Sequence, residues 1–446
     1  MNYFRDQICK ATLSFMRKAI FIFLILAQTI CAVGFGQTHF VNTTFPYPLF
    51  SADSAIKTIK IHPLGNETSY PIINLNNKNN RIVLNFDDLN NDPRDFKYRL
   101  IHCGSDWKKS PISFYDFAQG LPDDYLTDYE FSQNFGLQYI HFSVAVPNNQ
   151  IQFLISGNYI IEVFEESNPD KVIVTAGFMV VENKVSISNN AHRAMDADKR
   201  YSGQEIDFSI KPNNYQIVNP YTDLKTIILQ SFNLETALNL QPLFVKPEEL
   251  DYDYGEENVF QGGNEYRELD LRRLSVSRYM ASVDRTGKIP IFRTLTQEKR
   301  AFINYKNEPD INGQFALIND DLLFNSELEA EYVQVDVKLN YNYEIEEGVY
   351  LFGKFSNWQF LPEYKMEYNR EERFYYKSIF LKQGYYNYLF AIKNSKDFGA
   401  FAEYFWDIEG SHHETENNYL ILVYHKKPGT YYESLIGTTT INYPAR

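Results

Sequence analysis

The sequence predicts an all-β fold, and three observations carry the prediction. Aromatic residues make up 16% of the 446 residues, with 34 Tyr and 35 Phe, and aromatic and β-branched side chains pack well on a pleated surface. Short runs of alternating apolar and polar residues recur between Asn, Asp, Gly and Pro clusters, without any long stretch at the helical period. A Gly-x-Tyr figure feeds an apolar run twice, at Gly157-Asn158-Tyr159 and at Gly384-Tyr385-Tyr386. In immunoglobulin-like sandwiches the Tyr hydroxyl of such a turn ties the corner to nearby backbone. Two copies predict tandem immunoglobulin-like β-sandwich domains.

Residues 1–36 read as a signal peptide. Arg17-Lys18 precede the apolar run from Ala19 to Ala27, and the small residues Gly34 and Gly36 follow at cleavage-site spacing. That run is short for a membrane span. Lipidation at Cys31 is the alternative, although Ile30 stands where a small residue is wanted. Cleavage after Gly36 leaves Cys103 as the remaining cysteine, so no intrachain disulfide forms and core burial holds the fold. The formal charge is −14, and the basic leader makes the remainder more acidic still. Such a surface repels nucleic acid and anionic lipid. No later run reaches the length of a spanning helix, so the mature chain is expected without a membrane span.

Residues 37–183 form the predicted N-terminal β-sandwich, with strands at 81–87, 96–103, 139–147 and 157–164 and two short runs at 172–174 and 177–181. Phe96, Tyr98 and Leu100 alternate with Lys97 and Arg99, the mark of a half-buried strand. Residues 184–327 form a middle β domain with strands at 206–210 and 226–230, an irregular insertion over 232–284, and a strand pair at 300–305 and 312–318. Residues 328–446 form a C-terminal sandwich, in which 332–339 alternates strictly and further strands fall at 349–353, 374–380, 384–390 and 419–424. Long helices are not expected.

No Gly-x-Ser-x-Gly elbow, His-Glu-x-x-His helix, phosphate loop or dinucleotide fingerprint occurs, so no catalytic or metal residue is assigned and no cofactor is expected. His412-His413 with Glu414 and Glu416 reads as an exposed loop cluster, because adjacent extended residues point to opposite faces. The acidic run 248–257 lacks the terminal Glu of a calcium loop, and Asp310-Ile311-Asn312-Gly313 reads as an Asn-Gly turn. Cys103, beside His102, is a small buried filler rather than a nucleophile. Asn264-Glu265-Tyr266-Arg267, with Asp270, suits a buried Arg–carboxylate clamp holding an irregular loop. Aromatic and Arg residues also dominate binding hot spots, which makes Phe260, Asn264, Tyr266 and Arg267 the candidates for a partner interface. Gly353-x-Phe355-x-x-Trp358 followed by Tyr386 resembles the glycogen-binding sandwiches attached to starch enzymes. The alternative function is therefore an exported carbohydrate-binding module, with Trp358 and Tyr386 stacking on sugar.

Motifs along most of the chain carry a further resemblance. They are Leu100-Ile101-His102-Cys103-Gly104-Ser105-Asp106-Trp107, Ser156-Gly157-Asn158-Tyr159, Phe260-Gln261-Gly262-Gly263-Asn264-Glu265-Tyr266-Arg267, Asp310-Ile311-Asn312-Gly313 and Glu409-Gly410-Ser411-His412, with Leu435-Ile436-Gly437 near the end. With these the chain resembles the plug protein family of the Type IX secretion system of Bacteroidetes, which usually has Phe where this chain has Tyr266. The resemblance implies a non-catalytic periplasmic β protein. Its implied partner is the large outer-membrane translocon barrel, whose periplasmic opening it would close.

Overall fold

The computed structural model describes residues 49–90, 92–321, 326–393 and 403–444; the signal segment, with Cys9 and Cys31, lies outside the described residues. Period-two alternation becomes one buried face where the sequence shows it. Buried and half-buried positions alternate along Phe96–Cys103 and Tyr332–Asn340. Ile82–Asp88 is buried at every position. Ile82, Leu84 and Phe86 enter the core, while Asp87 on the other face is covered by Lys382 and Tyr332.

Three sandwiches result. In the first, Leu49–Ser51, Val172–Val181, Gly157–Glu165, Phe96–Cys103 and Asp123–Tyr125 form one sheet, facing Ile56–Pro63, Ile82–Asp88, Ile140–Val146 and Asp128–Phe131. Between them Phe96 of one sheet meets Phe86 and Phe142 of the other edge-on, with ring centroids 5.7 and 5.0 Å apart. Val172–Val181 is one strand rather than two, because Ala176 and Gly177 stay in register with Ile161 and Ile160. The second sandwich sets Ser186–Arg193 and Gly203–Lys211 with their neighbours against Asn233–Leu240, Leu224–Gln230, Asn417–His425 and Ser434–Tyr443. The third sets Arg267–Asp270, Tyr385–Ile392, Phe315–Ala316 and Val349–Phe352 against a sheet centred on Tyr332–Asn340 and Phe374–Lys382. Both Gly-x-Tyr corners close as expected: Tyr159 Oη donates to the Ile155 carbonyl at 2.7 Å, and Tyr386 Oη to that of Lys382 at 2.6 Å.

The sequence boundary at 327/328 does not coincide with a division between sheets. Asn417–His425 pairs with Leu224–Gln230, from Leu224↔His425 to Gln230↔Tyr419. Arg267–Asp270, in the expected irregular insertion, pairs with Tyr385–Ile392. Pairing follows burial of apolar faces rather than chain order. The expected strand at 300–305 is not formed either, since Arg300 and Ala301 N–H both donate to the Ile408 carbonyl at 2.8 and 3.1 Å, bending the segment into a loop. Of 312–318, the strand is Phe315–Ala316, paired with Tyr386 and Tyr385. The Asn-Gly turn does form, with φ +52° at Asn312 and +73° at Gly313. The described helices run four residues or fewer. None is long and apolar enough to cross a membrane.

Candidate functional site

The polar run around Arg267 folds into a buried ionic centre where loops of the second and third sandwiches meet. Arg267 begins the strand Arg267–Asp270, and Glu409 follows the short helix Glu403–Trp406. Arg267 Nε donates to Glu409 Oε1 at 2.9 Å and its Nη2 to Oε2 at 3.0 Å. Arg300 Nε adds a bond to Oε2 at 2.7 Å, and the Phe390 N–H one to Oε1 at 2.9 Å. Burial alone would raise the pKa of Glu409, but the two guanidinium groups outweigh it and bring it down to about 2. The guanidinium of Arg267 also lies over the Phe390 ring, 4.8 Å from its centroid.

Two further carboxyls border this centre without such compensation. Glu265 accepts from Tyr305 Oη at 2.5 Å, and burial pushes its pKa up to about 7. Asp310 accepts from the Tyr266 N–H at 2.5 Å and the Asn312 N–H at 2.7 Å, and burial pushes its pKa up to about 6. All these groups hold loops, and the clamp expected of Arg267 is present with Glu409 as its partner. Asp270 pairs instead with Arg272 at 2.7 Å.

Burial corrects the other site assignments. Phe260 is 0% exposed and Asn264, Tyr266 and Arg267 are 8% exposed, so none of them can reach a partner while the fold stands. Phe260 packs on Tyr419 at 5.1 Å, and Asn264 Nδ2 donates to the Glu409 carbonyl at 2.8 Å. Trp358 is 3% exposed, edge-on to Tyr266 and Phe352 at 5.9 Å each. Tyr386 is 2% exposed. Neither ring offers a face to a sugar, because the glycogen-binding-like motif is here a packing motif. Cys103 is buried as expected, and burial pushes its thiol up to about 12, far from a thiolate.

A second ionic centre joins the first sandwich to the third, and sequence patterning gave no sign of it. Lys382, 1% exposed, donates to Asp87 Oδ2 at 2.7 Å and to the Glu327 carbonyl at 2.6 Å. Tyr332 Oη and His141 Nδ1 complete the shell of Asp87 at 2.7 Å each. A third link ties the first sandwich to the second: Glu433 accepts from the Ser105 N–H at 2.7 Å and pairs with Lys225 at 2.6 Å. His192, Glu205 and Asp207 form a group of metal-ligating type, with ligand atoms within 4.8 Å of one another. His192 Nε2 and Asp207 Oδ2 already satisfy each other at 2.7 Å, and no sequence motif marks these residues.

The profile of the Type 9 secretion system plug protein 1st domain matches residues 56–182. A crystal structure of a hypothetical protein from Parabacteroides merdae superposes with a TM-score of 0.83 at 31% identity, over 89% of this chain and 99% of that one. No curated protein matches. With the profile of the family's first domain matched over its first sandwich, the chain belongs to the Type 9 secretion system plug protein family.

Proposed function

We propose that this chain is a non-catalytic periplasmic protein that binds the large outer-membrane translocon barrel of the Type IX secretion system and seals its periplasmic opening. The observation that carries the reading, beside the family, is how the sandwiches are joined. Ion pairs link the sandwiches to one another: Lys382 to Asp87 between the first and third, Lys225 to Glu433 between the first and second, and Arg267 and Arg300 to Glu409 where loops of the second and third meet. A steric stopper needs such stiffness, since a body hinged between its sandwiches would leak. Its acidic charge of −14 calls for basic or polar surface on the barrel. Export through the N-terminal segment would place it in the periplasm.

Affinity capture of the mature protein from native envelopes is expected to recover the barrel, and deletion of the gene to make the outer membrane permeable to large antibiotics. Capture without the barrel, together with unchanged permeability, would reject the proposal.

A further inference from the structure

The strand Asp128–Phe131 is the last of its sheet: it pairs with Ile140–Val146 on one side and, among the described residues, with no strand on the other. All four of its residues are exposed, and its register runs without a bulge. It carries neither Lys nor Pro, two devices that commonly keep an edge from pairing.

Its two faces differ in chemistry. Tyr129 and Phe131 stand opposite Phe142 and Ile140, which are each 1% exposed in the core, yet are themselves 43% and 56% exposed. These two rings cover Phe142 and Ile140 and carry the apolar face out to solvent along this rim. On the other face, Asp128 and Glu130 line a cavity of about 430 Å³ with Glu67, Glu327 and His141. Lys60 pairs with Glu67 and Glu327, whereas among the described residues Asp128 and Glu130 form no ion pair. Just beyond the strand Phe135 is 88% exposed, its backbone pinned by Glu331 through the Phe135 and Gly136 N–H groups at 2.8 and 3.0 Å.

An added strand would set successive side chains on alternate faces. One set would meet the aromatic rim and the other the acidic cavity. We infer that Asp128–Phe131 docks an extended partner segment by strand addition, with apolar side chains covering Tyr129 and Phe131 and alternating Lys or Arg side chains entering the cavity beside Asp128 and Glu130. The partner chain is the translocon barrel, and this identity rests on the plug reading.

The test places a photoreactive phenylalanine analogue at position 131, at 135, or at the exposed Val276 of the third sandwich, in the full chain in its native cells, and identifies adducts by mass spectrometry. Barrel adducts at 131 and 135, reduced about tenfold or more by D128K/E130K, are the expected result, because like charges across an interface suppress docking. Adducts at 276 without any at 131 or 135 would overturn the inference and leave the plug reading intact, as would adducts indifferent to the charge reversal. Adducts at none of the three positions, with no barrel recovered by capture, would overturn both. If D128K/E130K fails to fold, the comparison of positions decides alone.

Discussion

At the scale of the residue, the junction loops hold carboxyls in two opposite conditions. Glu409 remains ionised under full burial because two guanidinium groups and an amide answer it. Glu265 and Asp310 have no such partner, and burial raises them to about 7 and about 6. A raised carboxyl stabilises the fold fully below its unfolded pKa, near 4, and that contribution is lost as pH rises through the folded value. Glu265→Gln should therefore gain on the parent between about pH 4 and 7, by on the order of 2 kcal/mol. Urea midpoints of both proteins across that range measure the difference. Buried histidines such as His102, lowered by burial to about 4, act in the opposite sense in both proteins and cancel. A difference that stays flat with pH would mean Glu265 is not held protonated. The clamp itself was legible in the Asn264–Arg267 run. Its partner was not, because Glu409 lies 142 residues away and nothing local marks it.

At the scale of the element, turns and corners were the most legible features, because their geometry is set by neighbours in sequence. Tyr386 ties its corner to the Lys382 carbonyl, and Tyr386→Phe should cost about 1–2 kcal/mol, the penalty for a buried hydrogen bond left unmade. Gly313 combines a left-handed φ with a close approach: an added Cβ would lie 2.2 Å from Trp358 Cη2 and 2.5 Å from Tyr266 Cε1. Gly313→Ala should therefore cost more, at least about 2 kcal/mol, since backbone strain and overpacking act together. Urea denaturation of both variants gives the ranking, and a milder effect at Gly313 would count against the packing described around Trp358. The failed strand at 300–305 shows the limit of periodicity. Its residues carry strand propensity, but Arg300 is drawn to Glu409 and the Ile408 carbonyl takes two of its N–H groups.

At the scale of the whole molecule, strands that return late in the chain decide what can fold alone. A fragment of residues 37–327 lacks Asn417–His425 and Ser434–Tyr443, half of one sheet of the second sandwich, and the Lys382 that answers buried Asp87. Removing one partner of a buried pair destabilises by about 3–5 kcal/mol, besides the apolar face exposed. The fragment should not fold, whereas the full chain should unfold in one transition, with Trp fluorescence and far-UV dichroism coincident. Separate transitions would show independent sandwiches and weaken the case for a stiff stopper.

The sequence by itself determined the all-β class, the two Tyr corners, the Asn312-Gly313 turn, the burial of Cys103 and the presence of an Arg267 clamp, since each depends on a few adjacent residues and on period-two patterning. Only the tertiary structure decided that Phe260, Tyr266, Trp358 and Tyr386 are interior and that Asp128–Phe131 is an open edge. An aromatic side chain reads the same in sequence whether it faces a partner or the core. Its exposure is settled by the strands that pack over it, and those come from far along the chain.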